Sequence, residues 1–286
     1  MIQDIQPRAF NNEYKNNKAK AQDLFLAYQD NNVLVKEDKD KLWYPSFADF
    51  SEKYSHLSEK AQFLFAIDDI NYFLVEEEGL DDQPGWEYVS TSRFRSEKKY
   101  WRSYAGVVGL QLSRWYSDHK YCSKCSEPLT KSTKERMLYC ESCLFRVYPT
   151  ISPSVIVGVY DGDRLLLTKY VGREHGNYAL VAGFNEVGES LEQTVEREVM
   201  EEVGLKVKNI RFYKSQPWPF TDTLLAGFYC ELDGDDTITL QEDELSVGVW
   251  VNRDNIPKPD TDISLTSEMI SFFKNNKNID ELLNEF

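Results

Sequence analysis

The pattern of apolar and polar positions changes character about halfway along the chain. From residue 149 onward short β-rich runs alternate with turns. "SVIVGVYDGDRLLLTKYV" holds two such runs around Asp161-Gly162-Asp163, a pattern that predicts a hairpin. "YALVAG", "IRFYKSQ", "TLLAGFYCEL" and "VGVWVN" read as four further strands. One helical pattern interrupts them: Leu191, Val195, Val199 and Val203 recur at i, i+4 and place one apolar stripe toward a core. Ser190 followed by Gln193 forms a capping box, and Gly204 suits the left-handed residue after a helix, so the helix is predicted over roughly 190–203. "SLTSEMISFFKNN" and "IDELLNEF" predict a helical end, and the whole reads as an α/β sandwich.

Residues 1–117 are patterned differently. "YWRSYAGVVGLQLSRWYSDHKY" predicts a helix, with Val107, Leu110, Leu112 and Trp115 near helical spacing. The apolar runs of "KAQFLFAIDDINYFLVEEE" fit core strands or a helix, which period alone does not separate. "SQPWPF", Ser215 to Phe220, sets two prolines around a Trp and predicts a stiff segment that forms sheet poorly. Its aromatic rings fit a base-stacking surface or a packed plug equally well. The changes of motif divide the chain into an N-terminal α+β domain (1–117), a cysteine segment (118–148) and the α/β domain (149–286).

Composition narrows the functional classes. With 286 residues, 41% of them hydrophobic, the chain has material for a sizeable core and is not of disordered type. Its 33 basic and 48 acidic residues give a net charge of −15, which argues against general nucleic-acid binding and against docking on anionic membranes. "RFRSEKKYWR" (93–102) is a local basic exception. No apolar leader and no run of ~18 apolar residues is visible, so the expected location is the cytoplasm and no membrane partner is expected.

Two clusters carry candidate chemistry. "YCSKC" and "YCESC" place Cys122, Cys125, Cys140 and Cys143 as two CxxC pairs, with Cys230 alone in an apolar run. Four thiolates from two such knuckles fill the tetrahedral shell of Zn²⁺ and leave no open position, so a structural zinc ribbon is expected. Lys124, Lys131, Lys134 and Arg136 lie in this segment, and DNA binding by the ribbon is the weaker reading. The second cluster lies in "GFNEVGESLEQTVEREVMEEVGL" (183–205), where Glu198, Glu201 and Glu202 share one helix edge at i, i+3, i+4. Like charges so spaced are destabilising by a few tenths of a kcal/mol per pair, and a hard divalent cation reverses the sign. His56, His119 and His175 have no motif neighbours, so Ser–His or Cys–His catalysis is not expected.

The spacing of these residues resembles the Nudix box at every fixed position: Gly183, then Glu189, then Arg197-Glu198-Val199-Met200-Glu201-Glu202-Val203-Gly204-Leu205. The resemblance implies a loop–helix–loop on a Nudix α/β/α sandwich that hydrolyses nucleoside diphosphates linked to another group. It implies Mg²⁺ or Mn²⁺ held by Glu198, Glu201, Glu202 and the Ala182 carbonyl, with Arg197 and Glu189 bracing helix to loop. Glu244, six residues before Trp250, matches a further metal-binding glutamate, with Glu242 as the alternative.

"SQPWPF", "WYSDHKYCSKC" and "YPTISPSVIV" further resemble the NADH pyrophosphatase (NAD⁺ diphosphatase) subfamily, with Thr150 and Thr221 where its pattern has Arg and Pro. That resemblance implies hydrolysis of NADH or NAD⁺ to AMP and NMN(H), or the same cut at an NAD-capped RNA end, and a homodimer. It implies substrate contacts from Tyr148, Ile156, Phe184, Gln216, Trp218, Thr223, Leu225 and Thr266, and from Arg93 of the N-terminal domain. A non-catalytic nucleotide-binding Nudix module is the reading from another class; the intact box argues against it.

Overall fold

The computed structural model describes residues 1–38, 41–96, 100–172 and 177–276. Residues 97–99 of the basic patch, His175 and the segment "IDELLNEF" lie outside the described residues. The chain forms two compact units: residues 2–150 with 219–221, and residues 151–218 with 222–286 and Met1.

The first unit is built on two small sheets. One has the order β1 (Phe10–Asn11), β6 (Gln62–Ile67), β7 (Ile70–Leu74), β2 (Leu24–Leu26). The other joins β3 (Tyr28–Gln29), β4 (Asn32–Asp38) and β5 (Lys41–Trp43), with β8 (Glu87–Ser90) on β4. The ambiguous run "KAQFLFAIDDINYFLVEEE" is therefore the hairpin β6–β7, turned at Asp68 in left-handed conformation. Aromatic residues fill the core, with Phe25, Phe50, Phe63 and Phe73 in edge-on or tilted contact. After the short α1 (Leu57–Lys60), the long helix α2 (Tyr100–Asp118) forms where its apolar spacing predicts one, with Val107, Leu110, Leu112 and Trp115 buried.

The cysteine segment follows as a three-stranded sheet, in the order β11 (Arg146–Val147), β10 (Leu138–Tyr139), β9 (Thr130–Lys131). It packs into the same compact unit as residues 2–117. The Tyr14 hydroxyl donates to the Ser132 carbonyl (2.8 Å), and Arg136 donates to Asn12 Oδ1 (3.0 Å) and the Leu64 carbonyl.

The second unit is the α/β/α sandwich. Its sheet runs β15 (Val207–Trp218), β16 (Thr223–Leu232), β12 (Ser152–Asp161), β13 (Arg164–Tyr170), β17 (Leu245–Asn252), with β14 (Val181–Phe184) paired to β12. β12 and β16 are parallel, and the other pairings are antiparallel. Alternation along β12 sends Val155, Val157 and Val159 to one face, against α3 (Leu191–Val203), and Ile156 and Tyr160 to the other, against α4 (Leu265–Asn275). Val195, Val199 and Val203 of α3 are fully buried. At roughly 1.5–3 kcal/mol for each buried Val, this stripe outweighs the repulsion among the glutamates on the helix edge.

"SQPWPF" departs from expectation. Ser215 to Trp218 continue β15, in register with Thr223–Ala226. β15 is an edge strand, so Pro217 has no ladder bond to lose on its free side.

Candidate active site

Helix α3 starts and stops where its sequence dictates. Ser190 Oγ accepts from the Gln193 N–H (3.3 Å), and Gln193 Oε1 accepts from the Ser190 N–H (2.8 Å). Gly204 closes the helix at φ 71°. The preceding loop is fixed by Arg197, whose Nε and Nη2 donate to the two Glu189 oxygens (2.6 and 2.9 Å). The same guanidinium donates to the Phe184 carbonyl (2.9 Å), tying helix to strand. This fork holds Glu189 down at about 2 and pushes Arg197 further up.

The sequence pattern did not single out three further supports. Thr194, fully buried, donates to Glu189 Oε2 (2.9 Å) and accepts from Asn185 Nδ2 (2.7 Å). Ser154 Oγ donates to the Gly183 carbonyl (2.7 Å). Asn185, two residues past the box glycine, was the available signal, because a short amide in a tight loop bonds nearby backbone.

The glutamates project toward β14. A Cβ on Gly183 would lie 1.9 Å from Glu198 Cδ, so only glycine lets this carboxylate lie against the strand. Arg197 Nη1 sits between Glu198 (2.7 Å) and Glu201 (3.0 Å). Glu202 is 1% exposed; one oxygen accepts from the Ala182 N–H (3.3 Å), and the buried Oε2 has no hydrogen-bond partner among the described residues. Burial first, then the neighbouring Glu244 charge, pushes Glu202 up to about 8. Burial also raises Glu198. The Glu244 charge contributes to the rise at both groups.

This donor set fits a hard divalent cation: several carboxylates, one of them orphaned in a buried position and raised by like charge, beside a backbone strand. The arrangement is not a closed cage. Among the described residues only the four cysteines bring their ligand atoms within 4.8 Å of one another.

Those cysteines form two matching knuckles. Sγ–Sγ distances are 3.5 Å (122–143), 3.4 Å (125–140) and 3.5 Å (125–143). These are far beyond a disulfide bond of about 2.05 Å and near the ~3.8 Å that tetrahedral Zn–S bonds of about 2.3 Å require. Each knuckle ends in a left-handed residue, Ser126 and Leu144, directly after its second cysteine. Cys230 lies apart, buried in the α3-side core. His119 Nδ1 contacts the Trp115 carbonyl (2.8 Å), a packing role.

The candidate substrate residues of the second unit share a face. Strand register aligns Trp218 with Thr223, Gln216 with Leu225, and Ile156 with Ala182 and Gly227, all on the α4 side. Phe184, also on that side, is 55% exposed beside the glutamate loop. Thr266 stands in the first turn of α4, after its N-cap Ser264. Gln216 is buried instead: its amide nitrogen Nε2 donates to the Ile263 carbonyl (2.9 Å), and Oε1 accepts from the Leu265 N–H (2.6 Å). It holds the start of α4 in place. Ile156 is likewise a core residue, 6% exposed. In the first unit Tyr148 is half exposed, and Arg93 pairs with Glu37.

Residues 150–271 match the NUDIX domain family. The chain is 44% identical over 149 residues to the NAD-capped RNA hydrolase NudC of Salmonella schwarzengrund, an alignment covering 52% of this chain and 58% of that protein. It is 43% identical over 150 residues to the protein of the same name from Klebsiella pneumoniae, with the same coverage. The chain thus spans 58% of the length of these curated relatives. A solved NUDIX hydrolase from Nitrosomonas europaea is similar over 56% of this chain and 93% of that one, with 22% identity and a TM-score of 0.48. No helix among the described residues is long and apolar enough to cross a membrane.

Proposed function

We propose that this protein hydrolyses the pyrophosphate of NADH or NAD⁺, giving AMP and NMN(H). The observation that carries the reading is the buried Glu202 carboxylate, its Oε2 without a hydrogen-bond partner among the described residues, set among Glu198, Glu201 and Glu244 beside a loop locked by the Arg197–Glu189 fork. Glu198, Glu201, Glu202, Glu244 and the Ala182 carbonyl are the groups that would hold Mg²⁺ or Mn²⁺. When bound, such ions supply charge stabilisation at the phosphate oxygens and a nucleophilic water. Arg197 and Glu189 act as positioning residues that fix where the carboxylates point. A box glutamate or Glu244 would take a proton from the attacking water, and the face that carries Phe184, Trp218, Thr223 and Leu225 would receive a flat base and its sugar.

A second reading has the same bond cut at the 5′ end of NAD-capped RNA, favoured by what the relatives' names say they act on. Structural Zn²⁺ on the four cysteines, a cytoplasmic location and a homodimer belong to this proposal. The test is incubation of the purified protein with NADH and Mg²⁺ or Mn²⁺, with products separated by chromatography. AMP and NMNH from the wild type but not from Glu202→Gln are expected. Intact NADH, NAD⁺ and capped RNA in every reaction would overturn the proposal.

A further inference from the structure

The cysteine segment carries a cleft that the Nudix chemistry does not use. It measures about 310 Å³ and is lined by Lys131, Ser132, Thr133, Lys134, Met137, Tyr139, Leu144 and Arg146. Three of these residues are cationic and none is acidic, on a chain whose net charge is −15. The contrast is local, because residues 118–148 hold six basic and four acidic residues.

The structure sorts the basic residues of this segment by direction. Arg136 turns inward to Asn12 and Leu64, over the Tyr14 ring, and is spent on anchoring the β9–β10 hairpin. Lys131 lies over the Tyr116 ring at one edge of the cleft. Lys134 and Arg146 are exposed and have no carboxylate partner among the described residues. Tyr139 stands opposite both Thr130 and Arg146 in the three-stranded sheet, so an aromatic ring and a guanidinium share one face. Glu141 accepts from the Thr130 hydroxyl (3.3 Å). The hairpin tip is ordered by the Ser132 N–H to the Met137 carbonyl (2.9 Å) and by the Lys134 N–H to Ser132 Oγ (3.2 Å).

We infer that this cleft is a binding site for single-stranded RNA, with Lys134 and Arg146 on consecutive phosphates and Tyr139 against a base. Cations tracking a backbone beside an aromatic platform are the elements that bind single strands without base readout. The volume is at the small end of the range for ligand pockets and suits about one nucleotide of a longer chain. The inference bears on the second reading above, since it supplies a hold on the RNA body. It also stands or falls by RNA binding alone, with no turnover required.

The experiment is fluorescence anisotropy of the full-length, zinc-loaded protein with a labelled, uncapped oligoribonucleotide of about 15 residues, without Mg²⁺ or Mn²⁺. Wild type is compared with Lys134→Gln/Arg146→Gln, two exposed positions, with matched melting curves to verify folding. The double variant is expected to bind at least tenfold more weakly, and its slope of log K against log[salt] is expected to be shallower by about 1.4. Tyr139→Leu should weaken binding with the salt slope unchanged. Equal affinity of wild type and double variant, or absence of binding by the wild type, overturns the inference while leaving NADH hydrolysis untouched. Displacement of the RNA by AMP or inorganic phosphate at equal phosphate concentration also overturns it, because the cleft would then be a site for free phosphates.

Discussion

Glu202 makes a quantitative demand on the metal-free protein. Burial, and then the Glu244 charge, raises its carboxyl from the ordinary 4.5 to about 8. At pH 7 the folded chain therefore holds a proton on Glu202 that the unfolded chain has released. For an acid whose folded pKa is raised, stability is full below pH 4.5 and is lost as pH climbs toward about 8. At pH 7 the gap of 2.5 units above 4.5 corresponds to about 3 kcal/mol. Glu202→Gln keeps an acceptor for the Ala182 N–H and abolishes the titration. In EDTA the variant should match the wild type at pH 5 and melt roughly 10 °C higher at pH 7–8. Mg²⁺ or Mn²⁺ at pH 8 should raise the wild-type melting temperature and leave the variant nearly unmoved, since a bound cation relieves the charge that the substitution removed. Differential scanning fluorimetry across pH 5 to 8 is the assay. A melting-temperature gap that stays constant across that range would refute the reasoning, because the buried carboxyl would then not be the titrating group.

Three further outcomes follow from the site. Gly183→Ala should lower kcat/KM for NADH at least 100-fold, since its Cβ displaces the Glu198 carboxylate; steady-state kinetics checks this, and near-normal turnover would show that the contact is not needed. Glu189, held at about 2 chiefly by its bonds from Arg197, contributes stability that is present above about 4.5 and lost as pH falls toward 2; the deficit of Glu189→Gln in acid-denaturation curves should therefore shrink over that window. Elemental analysis should find one zinc per chain in the wild type and almost none in Cys140→Ser, whose melting temperature should fall by about 10 °C or more; retained zinc would remove the four-thiolate reading.

The parts of this molecule legible in its sequence are those where one local rule acts alone. Ser190, Gln193 and Gly204 bound α3 because caps are short-range chemistry, and the buried valines are a one-helix pattern. The CxxC pairs converge because each knuckle is five residues of self-contained turn. Tertiary context decided the rest. Pro217 joins a strand because β15 happens to lie at the sheet edge, which no dipeptide signals. The run 60–78 resolves into a hairpin only through its pairing with β1 and β2 on either side. Arg136 reads as one of the basic residues of the cysteine segment and Arg93 as a substrate contact, and the fold pairs the first with Asn12 and Leu64 and the second with Glu37. Thr194 carries no spacing signature, because its partners are set by loop geometry.

One amide ties two ends of the second unit together. Gln216 is two residues from Trp218 on β15 and bonded to Ile263 and Leu265 at the start of α4. The hairpin tip and the first helical turn, with Thr266 in it, are thus set against each other by a fixed internal spacer. Such a spacer works as a gauge. If that face receives the proposed substrate, the spacer sets how far apart its two walls stand. Retuning the site for a larger or smaller occupant would begin at this hidden glutamine, before any residue that faces the solvent.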